Sequence, residues 1–130
     1  MGYTRYWTRT EKPMTEDFLE AVREVLEDCK KRGIKICNWD GHGEPQVTTD
    51  LVALNGEERE DGNDLSHESF VLNNEAEWTF CKTARKPYDY AVRKILKIAK
   101  DYGIVKGVSS DGANNKIYSD DDYINGRVEW

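Results

Sequence analysis

The sequence has no long apolar run and contains few cysteine, proline and histidine residues. No stretch approaches the ~18 consecutive apolar residues of a membrane-spanning helix, so we expect no contact with a membrane. Residues 1–7 lack a positively charged segment followed by an apolar core, so the sequence predicts no secretory signal peptide. We therefore expect a cytoplasmic protein.

The scarcity of cysteine and histidine disfavours several kinds of site. Cys29, Cys37 and Cys81 are odd in number and show no C-x-x-C spacing, which argues against a disulfide framework or a structural zinc site. Each lies on the apolar face of a predicted helix or in a predicted strand, so we expect buried, unreactive thiols. His42 and His67 match no catalytic pattern, and the common glycine-rich nucleotide loops are missing. The sequence assigns no catalytic residue, metal ligand or cofactor, and a Cys81 nucleophile with a distant His42 stays open as an alternative.

Acidic residues outnumber basic ones, since 25 Asp and Glu against 19 Lys and Arg give a formal charge of -6. A negative chain is repelled by nucleic-acid phosphates, so we expect no bulk nucleic-acid binding. The charge is uneven, because acidic residues crowd 57–68 and 120–122 whereas basic residues dominate 82–100. Aromatic residues make up 11% of the chain, which is typical of a folded protein, and 130 residues suit one domain, 1–130.

Hydrophobic spacing predicts two amphipathic helices and several short strands. One helix covers 18–29 after the N-cap candidate Thr15, and the other begins near Pro87 and ends before Gly103. The predicted strands are 3–9, 34–37, 47–54, 69–72, 77–82 and 104–109. An Asn55-Gly56 turn follows the third strand. The order β-α-β-β-β-β-α-β predicts an α+β fold, with an antiparallel sheet of about five to six strands and both helices on one face.

Residues 81–89, with the sequence CKTARKPYD, form the first candidate site. A strand end and a short turn place Lys82, Thr83, Arg85 and Lys86 beside the free N–H groups that begin a helix, where anions bind. Cations oppose the helix dipole there, and an anionic ligand would relieve that cost. The alternative is that these long side chains simply extend into water.

The first strand is the second candidate site. Alternation places Tyr3, Arg5, Trp7 and Arg9 on one side of it. Two guanidinium groups beside two rings suit a phosphate with a stacked base or sugar. The alternative is that the rings belong to the core and the arginines cover their edges.

Two Asp-Gly turns, within 38–43 and 109–112, each follow a predicted strand, and such loops often carry ligand contacts. The hypothesis assigns contacts there to Trp39, Asp40, Ser110 and Asp111. Asp40 with His42 and Glu44 could also chelate a divalent cation. Plain turn chemistry explains the Asp-Gly pairs without any ligand.

Five segments resemble, in this order, a group of small uncharacterised bacteriophage and bacterial proteins. They are GYTRYW (2–7), LNG (54–56), ESF (68–70), FCKTARKPYD (80–89) and SSDG (109–112). The resemblance covers most of the chain. It implies a phage or prophage origin and a counter-defence role in the host cell cytoplasm.

These features favour a non-enzymatic protein that sequesters a phosphorylated, nucleotide-like small molecule. They leave open that the protein assembles as a homo-oligomer. One alternative is an inhibitor that presents the acidic 57–68 loop and the acidic 120–122 turn to a host defence protein. Another is a metal-dependent phosphoesterase.

Overall fold

A computed structural model describes residues 3–60 and 62–111, and over these residues the chain forms seven strands and two helices. The elements are β1 (Thr4–Arg9), α1 (Glu16–Lys31), β2 (Ile36–Cys37), β3 (Gln46–Val47), β4 (Val52–Gly56), β5 (Phe70–Leu72), β6 (Trp78–Lys82), α2 (Asp89–Asp101) and β7 (Val105–Ser110). The predicted α+β class, with two helices and antiparallel strands, is confirmed. The acidic segment 120–122 lies outside the described residues.

The strands pair in two antiparallel groups rather than in one sheet. In the first group β1 lies between β6 and β7, and in the second β4 pairs with β2, β3 and β5. Ile36 pairs with Gly56 and Val47 with Val52, so β2 and β3 follow one another along β4 as an interrupted edge strand. The two groups meet through core side chains such as Trp7 and Phe70, and through a hydrogen bond from the Glu68 N–H to the Lys82 carbonyl at 3.2 Å.

One predicted strand and one predicted turn are wrong. The segment 47–54 is broken by a turn, in which the Leu51 N–H donates to Thr48 Oγ1 over 3.0 Å. The Thr48 hydroxyl accepts a hydrogen bond from a backbone N–H group that, in a continuous strand, would have bonded to a neighbouring strand. Asn55 and Gly56 lie inside β4 instead of in a turn, and the buried Asn55 side chain bonds to loop backbone.

The helices pack against each other over a shared core. Thr15 caps α1 as predicted, since its Oγ1 accepts the Phe18 N–H over 3.3 Å, and the 18–29 stripe is buried. The second helix begins at Asp89, two residues after Pro87, because residues 86–89 first form a tight turn. Neither helix in the described part of the chain is long and apolar enough to cross a membrane.

Candidate ligand-binding face

The side of β1 that carries the arginines faces the core. Trp7 is 1% exposed, and its ring centroid lies 5.2 Å from that of Phe70. Tyr3, Arg5 and Arg9 are buried on the same side. An enclosed indole has no free face for a base, so this burial matches the alternative interpretation of the strand.

Arg5 and Thr83 form a buried polar network with Asp89. Arg5 Nε and Nη2 each donate to one Asp89 carboxylate oxygen at 2.8 Å, and Thr83 Oγ1 donates to Asp89 Oδ1 at 2.8 Å. The bidentate pair is the strongest geometry for these groups. It joins β1 and the end of β6 to the start of α2, so two of the predicted ligand contacts support the fold.

Arg9 donates its hydrogen bonds to the protein itself. Its acceptors are the carbonyl oxygens of Thr10, Lys12, Asn73 and Ile104, at 2.6 to 3.2 Å, and Asn74 Oδ1 at 3.0 Å. Burial lowers the pKa of the Arg9 guanidinium. Arg9 therefore holds together the chain segments that follow β1, β5 and α2. Its guanidinium group does not extend into solvent to bind a phosphate.

The opposite side of the same sheet carries an aromatic face, formed by Tyr6, Trp78 and Phe80. Tyr6 pairs with Phe80, and alternation along β6 puts Trp78 on the same side. Trp78 is 59% exposed and Phe80 39% exposed. The Tyr6 and Trp78 rings are near-parallel at 6.0 Å, and the Trp78 and Phe80 centroids are 5.6 Å apart. The sequence interpretation missed this face, although the alternation W-x-F-x-K in 78–82 could have indicated it.

Cations flank the aromatic face. Lys82 Nζ lies 5.7 Å from the Phe80 centroid, and Lys106 pairs with Thr8, which in turn pairs with Trp78. Arg85 is also exposed, but its guanidinium carbon lies 4.4 Å from the centroid of the Tyr3 ring, which belongs to the other side of β1. Among the described residues, none of these three cations forms an ion pair with a carboxylate.

Ser110 and Asp111 lie at the end of β7 beside this face. Asp111 Oδ1 accepts the Tyr6 hydroxyl at 2.8 Å, and Oδ2 accepts the Thr4 N–H at 3.1 Å. The hydrogen bond to Asp111 raises the pKa of Tyr6. Ser110 pairs with Arg5 and is largely buried. Asp111 thus orients one ring of the aromatic face.

The basic turn 83–86 has an unusual backbone. Ala84 and Arg85 adopt positive φ angles of 53° and 58°, and the Lys86 N–H donates to the Thr83 carbonyl at 3.0 Å. Two consecutive left-handed residues usually call for Asn-Gly. Lys86 Nζ donates to the Asp64 carbonyl at 2.7 Å, so Lys86 anchors the turn while Arg85 points outward.

Replacing Ala84 by Gly is expected to stabilise the protein by about 1 kcal/mol, because glycine adopts the left-handed region without steric cost. Urea unfolding measures the change. Ala76→Gly is the control, since its φ is not positive and added chain freedom should lower its stability slightly. Equal effects of the two changes would contradict strain in the turn.

Trp39 and Asp40 lie on the β4 side of the molecule. Trp39 is 56% exposed, and its carbonyl accepts from Asn55 and Ser69. Asp40 Oδ1 accepts the His42 N–H at 3.1 Å, which is ordinary turn chemistry. Within 3–60 and 62–111, no three His, Cys, Asp or Glu residues converge as a metal site would require.

Cys81 lies in the interior of β6. It is fully buried, its Sγ donates to the Glu68 carbonyl at 3.4 Å, and burial raises the pKa of the thiol to about 12. Near neutral pH it is therefore a protonated thiol, and the thiolate is the nucleophilic form. The structure gives the covalent alternative no support.

A groove of about 710 Å³ opens between α1 and the segment 34–47. Its apolar lining residues are Leu26, Ile34, Ile36, Pro45 and Val47. Its charged lining residues are Arg23, Glu27, Lys30, Lys35 and Glu44. None of the residues lining it is aromatic, and its charged residues are of both signs. It therefore suits a ring-bearing anion less well than the aromatic face does.

Rings and cations thus come together on the outer side of the β6–β1–β7 sheet. No protein-family model, curated protein or solved structure matches the chain. Its function is therefore inferred from its own residues.

Proposed function

We propose that the protein binds a phosphorylated, nucleotide-like small molecule on its aromatic face without changing it chemically. The observation that carries the proposal is the contact cluster of half-buried Tyr6 with the exposed rings of Trp78 and Phe80, beside Lys82. Large rings in water contribute little to folding, and an exposed apolar cluster on a protein surface commonly marks a binding site. Each stacked base contributes roughly 1 to 3 kcal/mol to binding.

The cations beside the rings favour a phosphorylated ligand. Lys82 follows the rings along β6, and Lys106 lies on the same side, opposite Thr8. Ammonium groups donate charge-assisted hydrogen bonds to phosphate oxygens. The net charge of -6 opposes the approach of a long polyanion, whereas local cations act within a Debye length of about 8 Å. A small anion is therefore favoured over a nucleic-acid strand.

The proposal revises the set of contact residues derived from the sequence. Lys82 remains as a phosphate contact, Asp111 remains at the edge of the site, and Arg85 is left out because it packs on Tyr3 at the other side of β1. Arg5 and Thr83 support the fold, as do Trp7, Arg9, Lys86 and Ser110. The resemblance to phage proteins adds the proposed setting, in which sequestration of a nucleotide signal in the host cytoplasm counters a defence system.

Trp78→Ala is expected to weaken nucleotide binding about tenfold, because it removes the most exposed stacking surface. Calorimetric titration with adenine and guanine nucleotides measures the affinity. Trp39→Ala is the matched control, since that indole is also about half exposed but lies on the β4 side. Equal losses in both variants, or no binding of any nucleotide to the parent protein, would count against the proposal. Thermal unfolding of each variant separates lost binding from lost folding.

A further inference from the structure

The groove between α1 and the segment 34–47 leaves a set of apolar side chains partly uncovered. All of them are half-buried, and they are Leu26, Ile34, Ile36, Pro45 and Val47. Arg23, Glu27 and Lys30 of α1 line the same groove, and all three are exposed. An apolar surface bordered by polar residues is typical of an interaction site. The groove therefore combines an apolar floor with a row of charges on α1.

The charges on this side of α1 alternate in sign. Glu20, Arg23, Glu27 and Lys30 are three or four residues apart, so they follow one another along one side of the helix. Arg23 lies 3.7 Å from Glu16, and both side chains are more than half exposed. Among residues 3–60 and 62–111, none of Glu20, Glu27 and Lys30 forms an ion pair. Within that part of the chain, these three charges are available to a partner.

A row of alternating charges is complementary to itself when two copies of the helix run antiparallel. If Glu20 of one copy faces Lys30 of the other, Arg23 faces Glu27 at the same time, and a twofold axis repeats both pairs. Parallel helices in register would place like charges opposite each other. Antiparallel helices shifted by one turn would place Arg23 opposite Lys30 or opposite itself. The charges therefore favour one antiparallel register.

We infer that the protein forms a twofold dimer, in which the α1 helices of two copies pack antiparallel and each copy covers the groove of the other. The apolar side chains of the two grooves supply the gain in free energy, because exposed ion pairs contribute only about 0 to 1 kcal/mol each. The ion pairs set the orientation. The aromatic face lies on the outer side of the β6–β1–β7 sheet, so the dimer does not depend on the proposed function.

Sedimentation equilibrium of the purified protein tests the inference, and we expect a dimer. Arg23→Glu places like charges opposite each other on both sides of the axis, so it should raise the dissociation constant of the dimer about tenfold. Lys97→Glu is the matched control, since it makes the same change in net charge on an exposed position of α2 and should have an effect below about twofold. The double variant Arg23→Glu with Glu27→Arg exchanges the signs and should restore the parent value.

Four results would contradict the dimer or its geometry. A parent protein that stays monomeric at about 1 mM overturns the inference and leaves the groove to a different partner. Equal weakening by Arg23→Glu and Lys97→Glu overturns the role of α1. A double variant as weak as Arg23→Glu alone overturns the antiparallel register. A dimer that is lost in Trp78→Ala places the contact on the aromatic face and also overturns the inference. Thermal unfolding checks that each variant is folded.

Discussion

Asp89→Ala is expected to lower the free energy of unfolding by about 3 to 5 kcal/mol, because it leaves the buried Arg5 guanidinium without its counter-charge. Both carboxylate oxygens of Asp89 accept from Arg5 at 2.8 Å, and the carboxylate is fully buried. Thr83 also loses the acceptor of its hydroxyl group. Because a whole domain is stable by about 5 to 15 kcal/mol, this one change removes a large share.

Urea unfolding followed by tryptophan fluorescence measures this loss. Asp101→Ala is the control, since the Lys97–Asp101 pair is more than half exposed and should contribute less than about 1 kcal/mol. If Asp89→Ala does not fold, the double variant Arg5→Met with Asp89→Leu gives a second test. Replacing both charges by apolar groups is expected to restore folding. A loss as small as that of the control would contradict the role assigned to the network.

Arg9→Met is expected to destabilise the protein by about 3 kcal/mol, because it removes the donor for several partly buried carbonyl groups at once. Those carbonyls belong to loops that leave β1, β5 and α2, so the change loosens three chain segments together. Methionine keeps most of the apolar length of the side chain. The expected loss therefore comes from the hydrogen bonds of the guanidinium group.

Denaturant unfolding of Arg9→Met and Arg9→Lys distinguishes these contributions. Lysine retains the charge but cannot reach as many acceptors, so it should fall between the parent protein and Arg9→Met. At temperatures where both variants are folded, their nucleotide affinity should stay within about twofold of the parent value. A selective loss of affinity with unchanged stability would instead return Arg9 to the ligand site.

The helices and their core faces could be predicted from the sequence because their signals are local. The apolar spacing in 18–29 and the cap at Thr15 depend on neighbours within a turn or two of helix. The break at Thr48 could not be predicted in this way. Its hydroxyl competes with strand pairing, and the outcome of that competition depends on β4 and β5, which come later in the chain.

The candidate site was predicted only in part. Lys82 ends β6 and Arg85 lies in the basic turn that follows it, and the structure leaves both side chains exposed. The stacking residue was assigned to Trp7, which lies in the core, while Trp78 was overlooked. Both sides of β1 carry aromatic residues, so alternation divides the strand into two faces without indicating which one is buried.

The sequence by itself determined that this chain is an acidic α+β protein with two amphipathic helices and a basic turn before the second helix. These properties follow from composition and from periodicity along the chain. Only the tertiary structure decided that Arg5 and Arg9 are internal supports and that Tyr6, Trp78 and Phe80 form the exposed face. The physical reason is that burial depends on what packs against each side of a strand. Asp89, Phe70 and the carbonyls of Asn73 and Ile104, which help to enclose one side of β1, lie more than 60 positions further along the chain.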